Sequence, residues 1–133
     1  MNLQKVNSIG NICLRMQKML VAFFDELIAQ FPDKSDFVAM RVLISSEQTP
    51  MSVVFDAWLK NLEEDKKKIK NRDPDFFLSE NGTFSNLGKI TVVETFKDVW
   101  KIIEKDEDNK NTIWKWVDGF VLIVESYKKA INS

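Results

Sequence analysis

Between residues 12 and 31 apolar side chains recur at helical spacing: Ile12, Met16, Leu20, Phe23, Leu27 and Phe31. Met19, Val21, Phe24 and Ile28 widen that stripe over most of the circumference. A helix with so little polar surface must be covered by other elements, so it belongs at the centre of a fold. Pro32 stops it. Asp25-Glu26 marks its narrow solvent-facing side, and Cys13 reads as a small core residue.

Four further segments carry the same period. Residues 35–47 turn Phe37, Met40, Val42, Leu43 and Ile44 inward, with Asp33 or Ser35 as cap. Thr49-Pro50 signals the next start, a capping hydroxyl followed by proline. From there Met51, Phe55, Trp58, Leu62 and Ile69 share one face, and the helix continues through residues 63–70. Glu63/Lys67 and Glu64/Lys68 would support it as pairs four apart. Asp73-Pro74 repeats the cap-then-proline signal and opens a single turn carrying Phe76, Phe77 and Leu78, closed by Asn81-Gly82. A fourth helix starts at Ser85 or Lys89 and runs to Lys105; the β-branched Thr91, Val92 and Val93 offer a strand as the alternative for its first turn. A fifth covers residues 111–131, with Gly119 inside it where another helix could approach closely. The expected fold is all-α: one domain, a compact bundle of about five helices with antiparallel neighbours, plus one short helical turn.

Composition agrees. Gly (4) and Pro (3) are scarce in 133 residues, and 44% of the chain is apolar. That length buries a core without disulfide or metal staples, and the single cysteine fits a reducing compartment. No basic-then-apolar leader opens the sequence, and no apolar run approaches the ~20 residues that span a bilayer. The expectation is a soluble protein of the cytoplasm, with no membrane partner.

Chemistry is sparse. The chain has no histidine, which removes the commonest general base and metal ligand and every Ser–His or Cys–His nucleophile. Residues 82–90 imitate a phosphate loop, but the spacing is one residue too long and Ile90 stands where a magnesium-binding hydroxyl is required. Residues 106–113 imitate the start of a calcium loop, but Lys110 falls at a ligand position, Asn111 replaces the glycine and Val117 replaces the bidentate glutamate. Neither a cofactor nor a metal is expected, and the chain reads as a non-enzyme.

Surface features remain. With 19 basic and 20 acidic residues there is no general basic stripe for duplex DNA. One basic cluster exists: Lys66, Lys67, Lys68, Lys70 and Arg72. It would dock phosphates or an acidic protein surface, or simply form a solvated helix end. Trp114 and Trp116 point to different sides of the last helix. Trp116 lies nearer the inward face of Ile113 and Phe120. Trp114 is more lateral, either an edge contact residue or one buried between two packed sides.

Two stretches carry a resemblance: Ile69-Lys-Asn-Arg-Asp73-Pro-Asp-Phe76-Phe77-Leu78 followed by Asn81, and Phe96-Lys-Asp-Val-Trp100 followed by Lys110-Asn-Thr-Ile113-Trp114-Lys-Trp116-Val. Together they resemble small helical proteins of large nucleocytoplasmic DNA viruses, although Trp116 stands where that pattern more often has Tyr. The resemblance implies a viral origin, in the host cytoplasm or the virion, and a virion-associated or host-interaction role. It transfers no catalytic residue. The functional expectation is a non-enzymatic structural or protein-interaction protein, such as a minor virion or capsid-associated component, with a protein partner or self-association; the alternative is a nucleic-acid-associated protein using residues 66–72.

Overall fold

The computed structural model describes residues 3–79, 82–85 and 92–133. Among them every regular element is helical. The order is α1 (Leu3–Gln30), α2 (Ser35–Ser45), α3 (Met51–Lys60), α4 (Leu62–Lys70), the short α5 (Asp75–Leu78), a 3₁₀ turn (Thr83–Ser85), α6 (Val93–Ile103) and α7 (Glu107–Ile131). The all-α expectation holds.

The central helix is α1, which packs against α2, α3 and α7. Met16, Leu20, Phe23 and Phe24 have no solvent exposure at all. Its partner α7 runs antiparallel to it. Lys5 Nζ donates to the carbonyls of Ile131 and Ser133 at 3.1 and 3.0 Å, placing a cation on the negative end of α7. This contact accounts for α1 starting at Leu3 rather than at residue 12. The added turns bury little, with Leu3 and Val6 exposed, so no apolar period announced them.

Several expected boundaries and caps differ. The expected 49–70 helix breaks at Asn61, whose φ and ψ of −133° and 34° leave the helical region. Ion pairs on α4 form three residues apart, Lys66 with Glu63 at 4.0 Å and Lys67 with Glu64 at 3.7 Å, rather than four. Neither Asp33, Ser35 nor Thr49 caps with its side chain: the caps of α2 and α3 are Lys34 and Pro50. Thr49 is buried, and its N–H donates to the Leu43 carbonyl. Helix α2 ends at Ser45, because Glu47 takes a left-handed φ of 63°. Val42 faces solvent and Leu43 is half-buried. Asp36 instead accepts from the Thr95 hydroxyl at 2.6 Å, tying α2 to α6. Asp25 pairs with Arg41 across α1 and α2, consistent with a solvent-facing side for Asp25-Glu26. The expected fourth-helix start falls mostly on residues 86–91, outside the described residues, as do Asn81 and most of the phosphate-loop imitation. Ser85 belongs to the 3₁₀ turn, and Val93 is already helical.

Aromatic rings fill the base of the core. Phe77 lies 4.9 Å from Phe96, 5.2 Å from Trp114, 5.4 Å from Trp100 and 5.6 Å from Phe84, centroid to centroid. These separations are in the attractive range for ring pairs. The short α5 therefore acts as a plug, as the Asp73-Pro74 signal implies. Asp73 Oδ1 accepts from the Asp75 N–H at 3.0 Å and starts the turn.

Gly119 lies against α1. A Cβ built there would come within 2.2 Å of the Met19 methyl. That methyl is the end of a flexible side chain and can yield. Gly119→Ala should therefore change stability by less than about 1 kcal/mol, since the gain in helix propensity offsets displacement of Met19. In a Met19→Ala background the same substitution should stabilise by about 1 kcal/mol. Urea denaturation of the four-member cycle measures the coupling, and a cycle with no coupling would refute this contact.

Candidate interaction surface

The C-terminal end of α4 is built around Arg72. The N–H of Arg72 donates to the Ile69 carbonyl at 3.1 Å, and that of Asp73 to the Lys68 carbonyl at 2.8 Å. This pair of bonds is a Schellman ending, whose central residue is normally glycine because it must be left-handed. Arg72 occupies it with a φ of 52°, a conformation that costs a side-chain-bearing residue roughly 1 kcal/mol. In return its guanidinium is aimed at α7. Nη1 and Nη2 donate to the two carboxylate oxygens of Asp118, each at 2.8 Å. The same guanidinium sits 5.6 Å from the Trp114 ring centroid. The Asp118 hydrogen bonds hold its pKa above the usual arginine value.

Trp114 is not the edge residue of the lateral reading. It is 2% exposed, enclosed by Phe76, Phe77 and Trp100. The second packed side is the α5 plug, which helical spacing within α7 cannot reveal. Trp116 is the half-exposed member of the pair and lies beside Phe23.

The remaining cluster residues do not act as one patch. Lys66 reaches across to Glu125 on α7 at 3.0 Å, and its pKa is raised first by that hydrogen bond. Lys67 pairs along its own helix with Glu64. Lys68 is half-buried near the Asp65 carboxylate. Lys70 is exposed. Thus Lys66 and Arg72 clamp α4 to α7, while Lys67 and Lys70 face outward.

Between these helices runs a groove of about 600 Å³, lined by Ile69, Val121 and Leu122 with Lys66, Lys67, Lys70 and Arg72 along its rim. Glu63 and Asp118 complete it. Leu122 stands 68% exposed on one wall, whereas Ile69 on the floor is 4% exposed. A second hollow, sharing Glu63, Lys66 and Leu122, carries the groove on along α7 to Asn132. Leu122 escaped the sequence reading because its spacing places it on the polar side of α7, where an isolated leucine draws no notice.

Asp65, immediately before the basic cluster in sequence, is 4% exposed. Its Oδ2 accepts from the Thr83 hydroxyl at 2.8 Å, joining α4 to the 3₁₀ turn. Burial raises its pKa, against the opposing pulls of Thr83 and Lys68. The acidic stretch at 106–113 is not a loop. Asp106 caps α7 by accepting from the Asn109 N–H at 3.1 Å, and the rest is helix. No group of three or more acidic, histidine or cysteine side chains placed to hold a metal occurs among the described residues. Nor, among them, is any helix long and apolar enough to cross a membrane. Cys13 is half-buried, and burial raises its thiol pKa.

No protein-family model, curated protein or solved structure matches this chain.

Two outcomes test this geometry. Arg72→Ala should destabilise by about 1 kcal/mol more than Arg72→Gly, because alanine keeps the left-handed strain while both lose the half-exposed ion pair; equal losses in chemical denaturation would contradict it. Asp65→Asn should stabilise the fold at neutral pH. The folded-state pKa of Asp65 lies above its unfolded value, so its contribution is best below about pH 4 and worsens as pH rises through the folded pKa. The advantage of asparagine in urea melts should therefore grow from acid to neutral pH, and a pH-independent difference would contradict it.

Proposed function

We propose that this chain is a non-enzymatic protein-interaction module whose contact surface is the groove between α4 and α7. One observation carries the reading: Leu122 stands 68% exposed beside the half-buried Val121 in a groove rimmed by charged side chains. Apolar surface left open in a hollow and rimmed by charge is the usual form of a protein-binding site. The lack of any histidine and the use of Asp65 in a hydrogen bond within the fold support a role without chemistry. The resemblance of the stretches within 69–81 and 96–117 to proteins of large DNA viruses supports a setting in virion assembly or host contact, in the cytoplasm of an infected cell.

The nucleic-acid alternative draws less support. Phosphate binding needs cations free to displace counterions, and Lys66, Lys67 and Arg72 are already paired with carboxylates.

A photoreactive residue at position 122, with position 102 as an equally open control, tests the surface. Ile102 is also exposed, at 62%, but lies away from the groove. The expected outcome in extracts of the native source is a discrete protein adduct, identified by mass spectrometry, at 122 and not at 102. Identical adducts at both positions, or none at 122, would remove the groove as the contact surface.

A further inference from the structure

We infer that the α4–α7 groove receives an acidic amphipathic helix of about four turns from a partner protein. The inference rests on the interaction reading above and names the chemistry of what binds. Its first support is shape. The two helices run antiparallel, shown by Arg72 meeting Asp118 at one end and Lys66 meeting Glu125 further along. The groove follows α7 from Asp118 to Asn132, which at 1.5 Å per residue is about 21 Å. A single helix laid lengthwise fills such a channel through apolar residues at three- and four-residue steps.

The second support is charge. The linings of the two hollows contain six cations and three carboxylates. Glu64, which pairs with Lys67 from outside both linings, brings the carboxylates to four and leaves a local excess of two positive charges on a chain whose net charge is −1. Opposite charge on the occupant speeds encounter and sets its register. Lys70, exposed at the outer rim, and Lys67, whose pairing with Glu64 is a surface contact, are placed to meet carboxylates. The Lys66–Glu125 pair crosses the middle as a sill, so an acidic occupant competes with Glu125 for Lys66.

A lipid headgroup layer would also meet cations, but the apolar floor at Ile69 is recessed and 4% exposed. A bilayer surface presses on a convex apolar face rather than entering a channel. A helix laid along the groove meets Leu122 and the half-buried Val121 with its own apolar side chains, above the closed floor at Ile69.

The test uses the full chain and a fluorescein-labelled Leu/Glu amphipathic peptide of about 16 residues, long enough for the groove. A Leu/Lys peptide of the same pattern is the control, and phosphatidylserine vesicles are the competing surface. The expected result is binding of the Leu/Glu peptide by anisotropy, with no binding of the Leu/Lys peptide. Leu122→Glu and Lys70→Glu should each weaken it by at least about tenfold. Both positions are exposed, and circular dichroism of each variant verifies that the helices remain. Absence of Leu/Glu binding, or equal binding of both peptides, overturns the inference. Vesicle binding that both variants abolish, without peptide binding, also overturns it and assigns the face to lipid. A position-122 adduct obtained alongside a failed Leu/Glu peptide would leave the interaction reading standing and remove only the acidic helix.

Discussion

Arg72 is the point on which core and surface both depend. Its left-handed backbone ends α4 and turns the chain sharply enough for Asp73 to start α5. That turn delivers Phe76 and Phe77 into the aromatic base of the core. Its side chain runs the other way and binds Asp118 through two hydrogen bonds, holding α4 alongside α7. A glycine would make the turn with less strain, but it could not hold α7. The arginine exchanges local backbone comfort for a connection between helices 46 residues apart in sequence. The groove exists because that connection sets α4 and α7 side by side, with Lys66 and Glu125 repeating the clamp further along.

The aromatic base makes the corner rigid. Phe77 packs on the rings of Phe76, Phe84, Phe96, Trp100 and Trp114, and Trp114 closes the layer beneath Arg72. Packing on this scale leaves few alternatives for α5, because moving one ring disturbs several others. One polar atom sits awkwardly within it. The indole nitrogen of Trp58, fully buried, has no hydrogen-bond partner among the described residues. Its neighbours Phe76, Phe84 and Phe120 offer only ring faces and edges. A buried donor without an acceptor costs about 1–3 kcal/mol, which the burial of the large Trp58 ring against these neighbours offsets.

Much of the helical architecture was legible because it follows from period and punctuation. The stripe from Ile12 to Phe31 identified the central helix, and Asp73-Pro74 identified the plug. Illegible features depend on tertiary partners. The first turns of α1 are stabilised by Lys5 on the end of α7, a contact 126 residues long in sequence. The break at Asn61 interrupts a pattern that reads as continuous, since Trp58, Leu62 and Ile69 are buried on either side of it. Trp114 was placed by its angle on α7 alone, and the plug that covers it comes from elsewhere in the chain. The last helix, expected from residue 111, begins at Glu107, where the acidic side chains favour a helix N-terminus.

The candidate surface illustrates a more general limit. A run such as 65–72 looks like one electrostatic unit, but a helix distributes successive residues around its axis. Asp65 goes inward to Thr83, Lys66 and Arg72 go sideways to α7, and Lys67 and Lys70 go outward. Each pairing removes a charge from the pool available to a ligand, and the pairings can be counted only once the neighbouring helix is in place. The functional content of the run is thus not its density of lysine. It is the excess left after Asp118 and Glu125 have taken their partners, displayed beside a leucine that belongs to a different helix. Neither half of that arrangement is a motif, so a pattern search along the chain passes over both.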